Sequence, residues 1–133
     1  MPGTAVQAPA INLITHDIIG AAIEVHRHLG PGLLESAYLE CLCDELARYG
    51  AIFDREMPLP LNYKGRSLDC GYRLDLVVAG CVVVEIKAIE KVLPIHEAQL
   101  LTYLRLTRLP LGLLINFNVV RLASGITRIA NHL

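Results

Sequence analysis

The sequence predicts an α/β domain in which helices flank a mixed β-sheet. Three observations indicate this class: an early stripe of apolar residues at helical spacing, a run of short apolar strands, and a further helix followed by a buried strand. The order helix, helix, three strands, helix, strand favours a layered sandwich. Because 133 residues suit one core, we expect a disordered tail over residues 1–10 and a single domain over residues 11–133.

Two helices are predicted in the first part of the domain. Apolar residues recur every three or four positions from Ile14 to Leu29, which is typical of a helix with one buried side. The segment Gly30-Pro31-Gly32 ends this helix, since glycine and proline both disfavour its continuation. A second helix should run from Leu33 to Tyr49, with Gly50 as its stop.

Three strands follow the second helix. Apolar residues alternate with two prolines from Met57 to Tyr63, and this pattern predicts a strand at an edge of the sheet because proline donates no hydrogen bond. Lys64-Gly65 should turn the chain. The strands from Tyr72 to Val78 and from Val82 to Lys87 are both strongly apolar, so we expect them to form a central hairpin.

The last part of the chain begins with a third predicted helix. Pro94 suits the first turn of this helix, which should extend to about Leu106. Leu111 to Phe117 then reads as a fully buried strand. A closing hairpin is expected from Val119 to Leu122 and from Ile126 to Ile129, with its turn at Ser124-Gly125.

Composition limits the surroundings in which this domain works. With 53% hydrophobic and only 19% charged residues, the chain should have a deeply buried sheet and an oligomer interface. We expect a homodimer that uses the strand from Met57 to Tyr63. No apolar run reaches the roughly 18 residues needed to cross a membrane, so no membrane partner is expected.

Charge and cysteine content add two expectations. The net charge of −1 argues against a uniformly positive surface. Four arginines and no acidic residue follow Leu100, which indicates either a modest basic face or ordinary solvated side chains. The four cysteines lack zinc-site spacing, and buried free thiols are favoured over an iron–sulfur site. This cysteine usage predicts a reducing cytoplasm.

Charged residues interrupt the apolar central hairpin at Asp75, Glu85 and Lys87. Burying an isolated charge is costly, so these groups should neutralise one another, bind a metal or take part in chemistry. A two-residue turn would separate the carboxylates, whereas a three-residue loop over residues 79–81 places Asp75 opposite Glu85. We predict the three-residue loop, with Gly80 in the left-handed conformation.

Opposed carboxylates in this register suit one divalent cation, because their Cβ atoms would be roughly 5 Å apart. Magnesium or manganese would polarise a phosphate and activate water, and Lys87 would orient that water or stabilise developing negative charge. The alternative is a buried Lys–Asp–Glu network that only satisfies itself. We favour a metal-dependent nuclease site.

Polar residues on the predicted helices provide further candidates. Glu35 lies in the first turn of the second helix, where the helix dipole favours a carboxylate, although it can equally be a simple helix-start residue. Gln99 and Tyr103 are four residues apart and share one side of the third helix. His96 precedes Gln99 by three residues, but a structural role is favoured for it.

The segment from Gly32 to Tyr38 spells GxxExxY, and the chain resembles the GxxExxY proteins, a family placed in the PD-(D/E)xK nuclease superfamily. The resemblance covers nearly everything after the tail. Further family-like stretches lie at residues 23–32, 71–75, 84–88, 97–104 and 112–117.

The resemblance implies roles for particular residues. Asp75 matches the first acidic residue of the superfamily signature, and Glu85 with Lys87 matches its (D/E)xK half. Leu74 stands where the signature has proline. Gln99 and Tyr103 look like the QxxxY motif of the exonuclease branch. The implied catalytic set is Glu35, Asp75, Glu85, Lys87, Gln99 and Tyr103. The implied metal ligands are Asp75, Glu85, Glu35 and the backbone carbonyl of Ile86.

The resemblance also implies a restriction-endonuclease-like αβββαβ core, to which this chain adds an N-terminal helix and a C-terminal β-hairpin. The expected function is a nuclease that uses Mg²⁺ or Mn²⁺ and acts on nucleic acid, with DNA favoured over RNA. One alternative is an inactive module that binds a nucleic acid or a protein on the same fold. A purely structural oligomer is a third hypothesis.

Overall fold

The computed structural model describes residues 8–132, with side chains from residue 10 onward. The three α-helices of this range are α1 (Ala8–Leu29), α2 (Glu35–Arg48) and α3 (Pro94–Thr107). The strands are β1 (Phe53–Pro58), β2 (Leu61–Tyr63), β3 (Arg66–Leu68), β4 (Arg73–Val78), β5 (Val82–Lys87), β6 (Leu111–Asn116) and β7 (Ile126–Ala130).

Five of the strands form one mixed sheet in the order β1-β4-β5-β6-β7. The β5 and β6 strands are parallel, and the other neighbours are antiparallel. The α3 helix connects the parallel pair, as a parallel crossover requires. The β2 and β3 strands form a separate hairpin. This arrangement confirms the predicted α/β fold with a mixed sheet and flanking helices.

The helices cover opposite faces of the sheet. On one face, α1 and α2 pack with Val82, Val84 and Ile86 of β5. On the other face, α3 packs with Val83 of β5 and Leu114 of β6. Because successive residues of a strand point to opposite faces, the side chain of Glu85 belongs to the α3 side of the sheet.

The α1 helix begins earlier than the apolar stripe suggests. Residues 8–10, which the sequence assigned to the tail, form the first turn of α1, whereas residues 1–7 lie outside the described residues. Pro9 is compatible with this start because the first helical turn needs no backbone donor. None of the described helices is long and apolar enough to cross a membrane.

The strand predicted from Met57 to Tyr63 is divided in two. The edge strand β1 ends at Pro58, and β2 begins at Leu61 in a different sheet. Between them, Leu59 is buried and donates its backbone N–H to the Tyr72 carbonyl at 3.0 Å. The turn at Lys64-Gly65 is confirmed, whereas β3 was not predicted because it is short and polar.

The predicted closing hairpin is also wrong, because its second strand pairs with a different partner. Residues 119–121 do not form a strand, and Leu122–Gly125 is a turn of 3₁₀ helix. The β7 strand instead pairs antiparallel with β6, from Ile115↔Ile126 to Leu111↔Ala130. Because β6 is buried along its whole length, its second edge needs hydrogen-bonding partners, and β7 supplies them.

Candidate active site

The candidate site forms where the central hairpin stops pairing. The β4–β5 ladder runs from Val78↔Val82 to Leu76↔Val84, so the next opposed residues are Asp75 and Glu85. The connection is the predicted three-residue loop, and Gly80 has a φ of 65°. The sequence therefore predicted the register that brings the two carboxylates together.

Side chains replace the backbone ladder at this position. The backbone N–H of Asp75 donates to Oε1 of Glu85 at 3.2 Å, and the backbone N–H of Ile86 donates to Oδ2 of Asp75 at 2.8 Å. Each carboxylate uses one oxygen in these bonds. The remaining oxygens, Oδ1 of Asp75 and Oε2 of Glu85, are left for another ligand.

The backbone of Ile86 also contributes to this gap between the strands. The N–H and C=O groups of one residue in a strand point to the same neighbouring strand. Since the Ile86 N–H is directed at Asp75, the Ile86 carbonyl lies on the same side. Two carboxylates and one backbone carbonyl therefore converge between β4 and β5.

The positive charge near Asp75 and Glu85 does not offset the burial and mutual repulsion of their carboxylates. The Glu85 side chain is buried, and this burial, aided by repulsion from Asp75, raises the pKa of Glu85 to about 8. Burial also raises the pKa of Asp75, and repulsion from Glu35 adds to that effect, although the Ile86 N–H opposes it. Lys87 lowers both pKa values without cancelling the increase. A bound cation would supply the missing positive charge.

The donor set fits a hard divalent cation that keeps part of its water shell. Within residues 8–132, no three His, Cys, Asp or Glu side chains are grouped closely enough to hold a metal ion. Glu35 is exposed at the start of α2 and acts on Asp75 and Glu85 only through its charge. Magnesium is commonly held by one or two carboxylates with water and substrate phosphate completing its shell, so Asp75, Glu85 and Ile86 suffice.

Lys87 is the last residue of β5 and lies beside this pair. Its side chain is half-buried, and its charge is close enough to lower the pKa of both carboxyl groups. None of the ion pairs within 4 Å among the described residues includes Lys87.

The α3 helix brings Tyr103 towards the same site. Burial raises the pKa of the Tyr103 hydroxyl, and the negative charge of Glu85 adds to the increase. The Tyr103 ring meets the Tyr72 ring edge to face, with centroids 6.1 Å apart. Gln99 lies one turn earlier on α3 and is exposed. The structure thus places Tyr103 near the carboxylates and leaves Gln99 open to solvent.

His96 has a structural position at the start of α3. Its Nδ1 accepts the backbone N–H of Leu93 at 2.8 Å, while its own backbone N–H donates to the Leu93 carbonyl at 2.9 Å. This reciprocal pair satisfies backbone groups that a helix start leaves free. The favoured structural reading of His96 agrees with this geometry.

The tyrosine of the GxxExxY segment holds the loop that leads to Glu35. Tyr38 is fully buried, and its ring stacks on Phe117 with centroids 4.5 Å apart. Its hydroxyl donates to the Gly30 carbonyl at 2.6 Å and accepts the Leu33 N–H at 3.2 Å. The loop between α1 and α2 is therefore fixed from within the core, together with the start of α2.

Sequence reasoning missed Asn116, which is aligned with Lys87 at the ends of β5 and β6. Asn116 is buried, and its amide donates to the Ile89 carbonyl at 2.9 Å and accepts the Ile89 N–H at 3.1 Å. It thereby holds the chain two residues beyond Lys87. The available signal was a single amide at the end of an otherwise apolar strand.

Replacing Asn116 by Ala should destabilise the protein by about 2 kcal/mol, because the backbone N–H groups of Ile89 and Asn118 lose their acceptor and the Ile89 carbonyl loses its closer donor. Thermal or urea unfolding measures this change. The matched control is Asn62→Ala on the exposed β2 strand, which should change stability by less than about 0.5 kcal/mol. Equal effects of the two substitutions would contradict the role given to Asn116.

Comparison with known proteins agrees with the α/β fold. A family model of the PD-(D/E)XK nuclease superfamily matches residues 12–129. The chain therefore belongs to the PD-(D/E)XK nuclease superfamily, and the predicted superfamily is confirmed. No curated protein and no solved structure matches the chain.

Proposed function

We propose that this protein is a metal-dependent nuclease that hydrolyses phosphodiester bonds, preferentially those of DNA, with Mg²⁺ or Mn²⁺. The observation that carries the proposal is the pair of Asp75 and Glu85 at the end of the β4–β5 ladder, where each carboxylate accepts a backbone N–H from the opposite strand. Lys87 lies beside this pair and takes part in no ion pair within 4 Å among the described residues. Superfamily membership supports the same reaction class.

Four residues at the centre of the site have defined roles in this proposal. Oδ1 of Asp75, Oε2 of Glu85 and the carbonyl of Ile86 would hold the cation. When bound, the cation supplies positive charge that polarises the phosphate and activates water. The Nζ of Lys87 stabilises the negative charge that develops on the phosphoryl oxygens or orients the attacking water.

Three further residues have roles around this centre in the proposal. Glu35, exposed at the start of α2, would hold a water molecule or serve as an additional metal ligand. Tyr103 and Gln99 place the nucleic-acid strand along α3. The placement of Tyr103 near Glu85 supports its role directly, and Gln99 follows from its position one helical turn away.

We also propose membership of the GxxExxY family, which the contacts of Tyr38 support. A cytoplasmic setting is proposed as well, because the free thiols of Cys43 and Cys81 favour it.

A homodimer through residues 57–63 remains a prediction. The β1 edge carries Asp54 and Glu56, and such charges oppose strand-to-strand pairing. A dimer would thus need side-chain contacts beyond the edge.

The proposal is tested by comparing wild type with Lys87→Ala on labelled DNA and RNA. The substrates are single-stranded, duplex, flapped and junction DNA and single-stranded RNA, each with Mg²⁺, Mn²⁺ or EDTA. We expect metal-dependent cleavage by the wild type and a loss of about a hundredfold in the variant, because Lys87 stabilises transition-state charge.

Lys91→Ala is the matched control, since Lys91 is an exposed lysine in the loop that follows β5. It should retain wild-type activity. Equal activity of Lys87→Ala and wild type would refute the assignment of Lys87. A complete absence of cleavage in all reactions would favour the inactive binding module, and gel-shift assays with the same substrates would then test nucleic-acid binding.

A further inference from the structure

The β2–β3 hairpin extends from the end of the sheet that carries the candidate site. Its base is closed by the hydrogen bond from the Leu59 N–H to the Tyr72 carbonyl, and Tyr72 precedes Asp75 by only three residues. All residues from Asn62 to Ser67 are exposed. At about 3.3 Å per residue, the tip extends roughly 10–13 Å from this base.

The hairpin presents positive charge without acidic neighbours on its own strands. Lys64 and Arg66 lie at its tip, and no Asp or Glu occurs between Leu61 and Leu68. Neither residue forms an ion pair within 4 Å among the described residues. Two uncompensated cations on a projecting arm suit phosphate groups of a nucleic-acid backbone.

Exposed aromatic rings lie at the tip and at the base of the same hairpin. Tyr63 is 58% exposed, and the ammonium of Lys64 lies 5.4 Å from the centre of its ring. Tyr72 is 40% exposed and contacts Tyr103 beside the carboxylates. Alternating cations and exposed rings are the features that bind unpaired bases together with their phosphates.

We infer that the β2–β3 hairpin binds single-stranded nucleic acid and guides it to the candidate site. Lys64 and Arg66 contact phosphates, Tyr63 stacks on a base, and Tyr72 receives the next part of the strand beside Tyr103. The location of the substrate path rests on the proposed nuclease function. Binding by the hairpin does not depend on cleavage, so the two can fail separately.

Unpaired strands are favoured over duplex because the rings need exposed base faces. In a duplex the bases are stacked on one another and only the backbone is presented. Two cations alone would then provide the contact, and the tyrosines would contribute nothing. The shared exposure of Tyr63 and Tyr72 therefore specifies a single strand or a frayed end as the substrate class.

The test measures binding in EDTA, where no divalent cation is present to support cleavage. Fluorescence anisotropy follows a labelled single-stranded DNA, the RNA of the same sequence and the corresponding duplex over a series of salt concentrations. The hairpin variant combines Tyr63→Ala, Lys64→Asn and Arg66→Thr. The change at Lys64 gives a residue that favours its positive φ of 49° before Gly65, so the turn should persist.

The control variant combines Tyr49→Ala, Arg48→Ala and Arg105→Ala, which removes one exposed tyrosine and two exposed arginines near the far ends of α2 and α3. We expect the hairpin variant to bind single strands at least about tenfold more weakly, with a salt slope smaller by about 1.4. The control should bind like wild type.

Unchanged affinity and salt slope in the hairpin variant would overturn the inference, as would tighter wild-type binding to duplex or no binding at all. Weaker binding of the hairpin variant to single-stranded DNA, RNA or both would support the inference. The comparison of DNA with RNA would also identify the sugar that the β2–β3 hairpin accepts. Wild-type binding that depends on the hairpin but leads to no cleavage with Mg²⁺ would refute the nuclease proposal and leave the inference intact. The single variant Lys64→Asn controls for misfolding of the triple variant, and it should lose less binding affinity.

Discussion

Glu85→Gln should abolish metal-dependent cleavage, by about a thousandfold or more, and at the same time stabilise the metal-free protein above pH 8. Glutamine keeps the shape of the side chain and can accept the Asp75 N–H through its amide oxygen. It cannot supply the charge that holds a divalent cation. Opposite changes in activity and stability would identify Glu85 as a functional group kept at a cost to the fold.

The pH dependence of this stability difference follows from the raised pKa of Glu85. The folded carboxyl group holds its proton to a pKa of about 8, whereas the unfolded group should lose it near the ordinary value of 4.5. Wild-type stability therefore falls relative to the glutamine variant as pH rises from 4.5 to 8. The stability advantage of Glu85→Gln over wild type should be absent below pH 4.5 and reach about 2 kcal/mol above pH 8. This value is smaller than the full effect of the pKa shift because the structure around the charged carboxylate relaxes.

Urea unfolding in EDTA at several pH values measures this difference, and Glu45→Gln on α2 is the control with a carboxyl group outside the site. Adding Mg²⁺ should stabilise wild type and leave Glu85→Gln unchanged, because only the folded state with both carboxylates binds the ion. A glutamine variant that is less stable than wild type at pH 9 in EDTA would contradict the assigned electrostatics.

Tyr38→Ala should cause the largest loss of stability, about 3–5 kcal/mol, which is a large share of the total for a domain of this size. The substitution removes a fully buried ring that stacks on Phe117. Tyr38→Phe separates the hydroxyl from the ring. It should cost about 1 kcal/mol, since the Gly30 carbonyl and the Leu33 N–H lose their partner in a loop that is partly open to water.

Two measurements distinguish these effects. Chemical unfolding gives the loss of stability, and amide hydrogen exchange at Leu33 reports the release of the loop in Tyr38→Phe. Tyr49→Phe is the matched control, because Tyr49 is an exposed tyrosine at the end of α2. If Leu33 exchanged at the same rate in Tyr38→Phe and wild type, the hydroxyl would not hold the loop that leads to Glu35.

The centre of the site was predictable because its determinants are local in the sequence. The loop over residues 79–81 fixes the register of β4 and β5, and that register alone brings Asp75 opposite Glu85. Charges within two apolar strands are also visible without a structure. What the sequence did not reveal is that both side chains replace ladder hydrogen bonds.

Features set by distant parts of the chain could not be predicted in the same way. Whether β7 pairs with a neighbouring segment or with β6 depends on which edge remains open after the sheet forms. Asn116 is important because it hydrogen-bonds to the backbone of Ile89, which lies 27 residues away in the sequence and follows the other strand of the parallel pair. The β3 strand is three polar or half-buried residues long, so its pairing with β2 leaves little hydrophobic periodicity.

The parallel pairing of β5 and β6 has a consequence for how this domain can diversify. Both strands end at one edge, so the loops over residues 88–93 and 117–121 lie at the same edge of the sheet. Loops at such an edge accept insertions more readily than the strands beneath them. Longer loops here could therefore change the shape and size of the substrates that reach the proposed site, while Asp75, Glu85 and Lys87 stay in place.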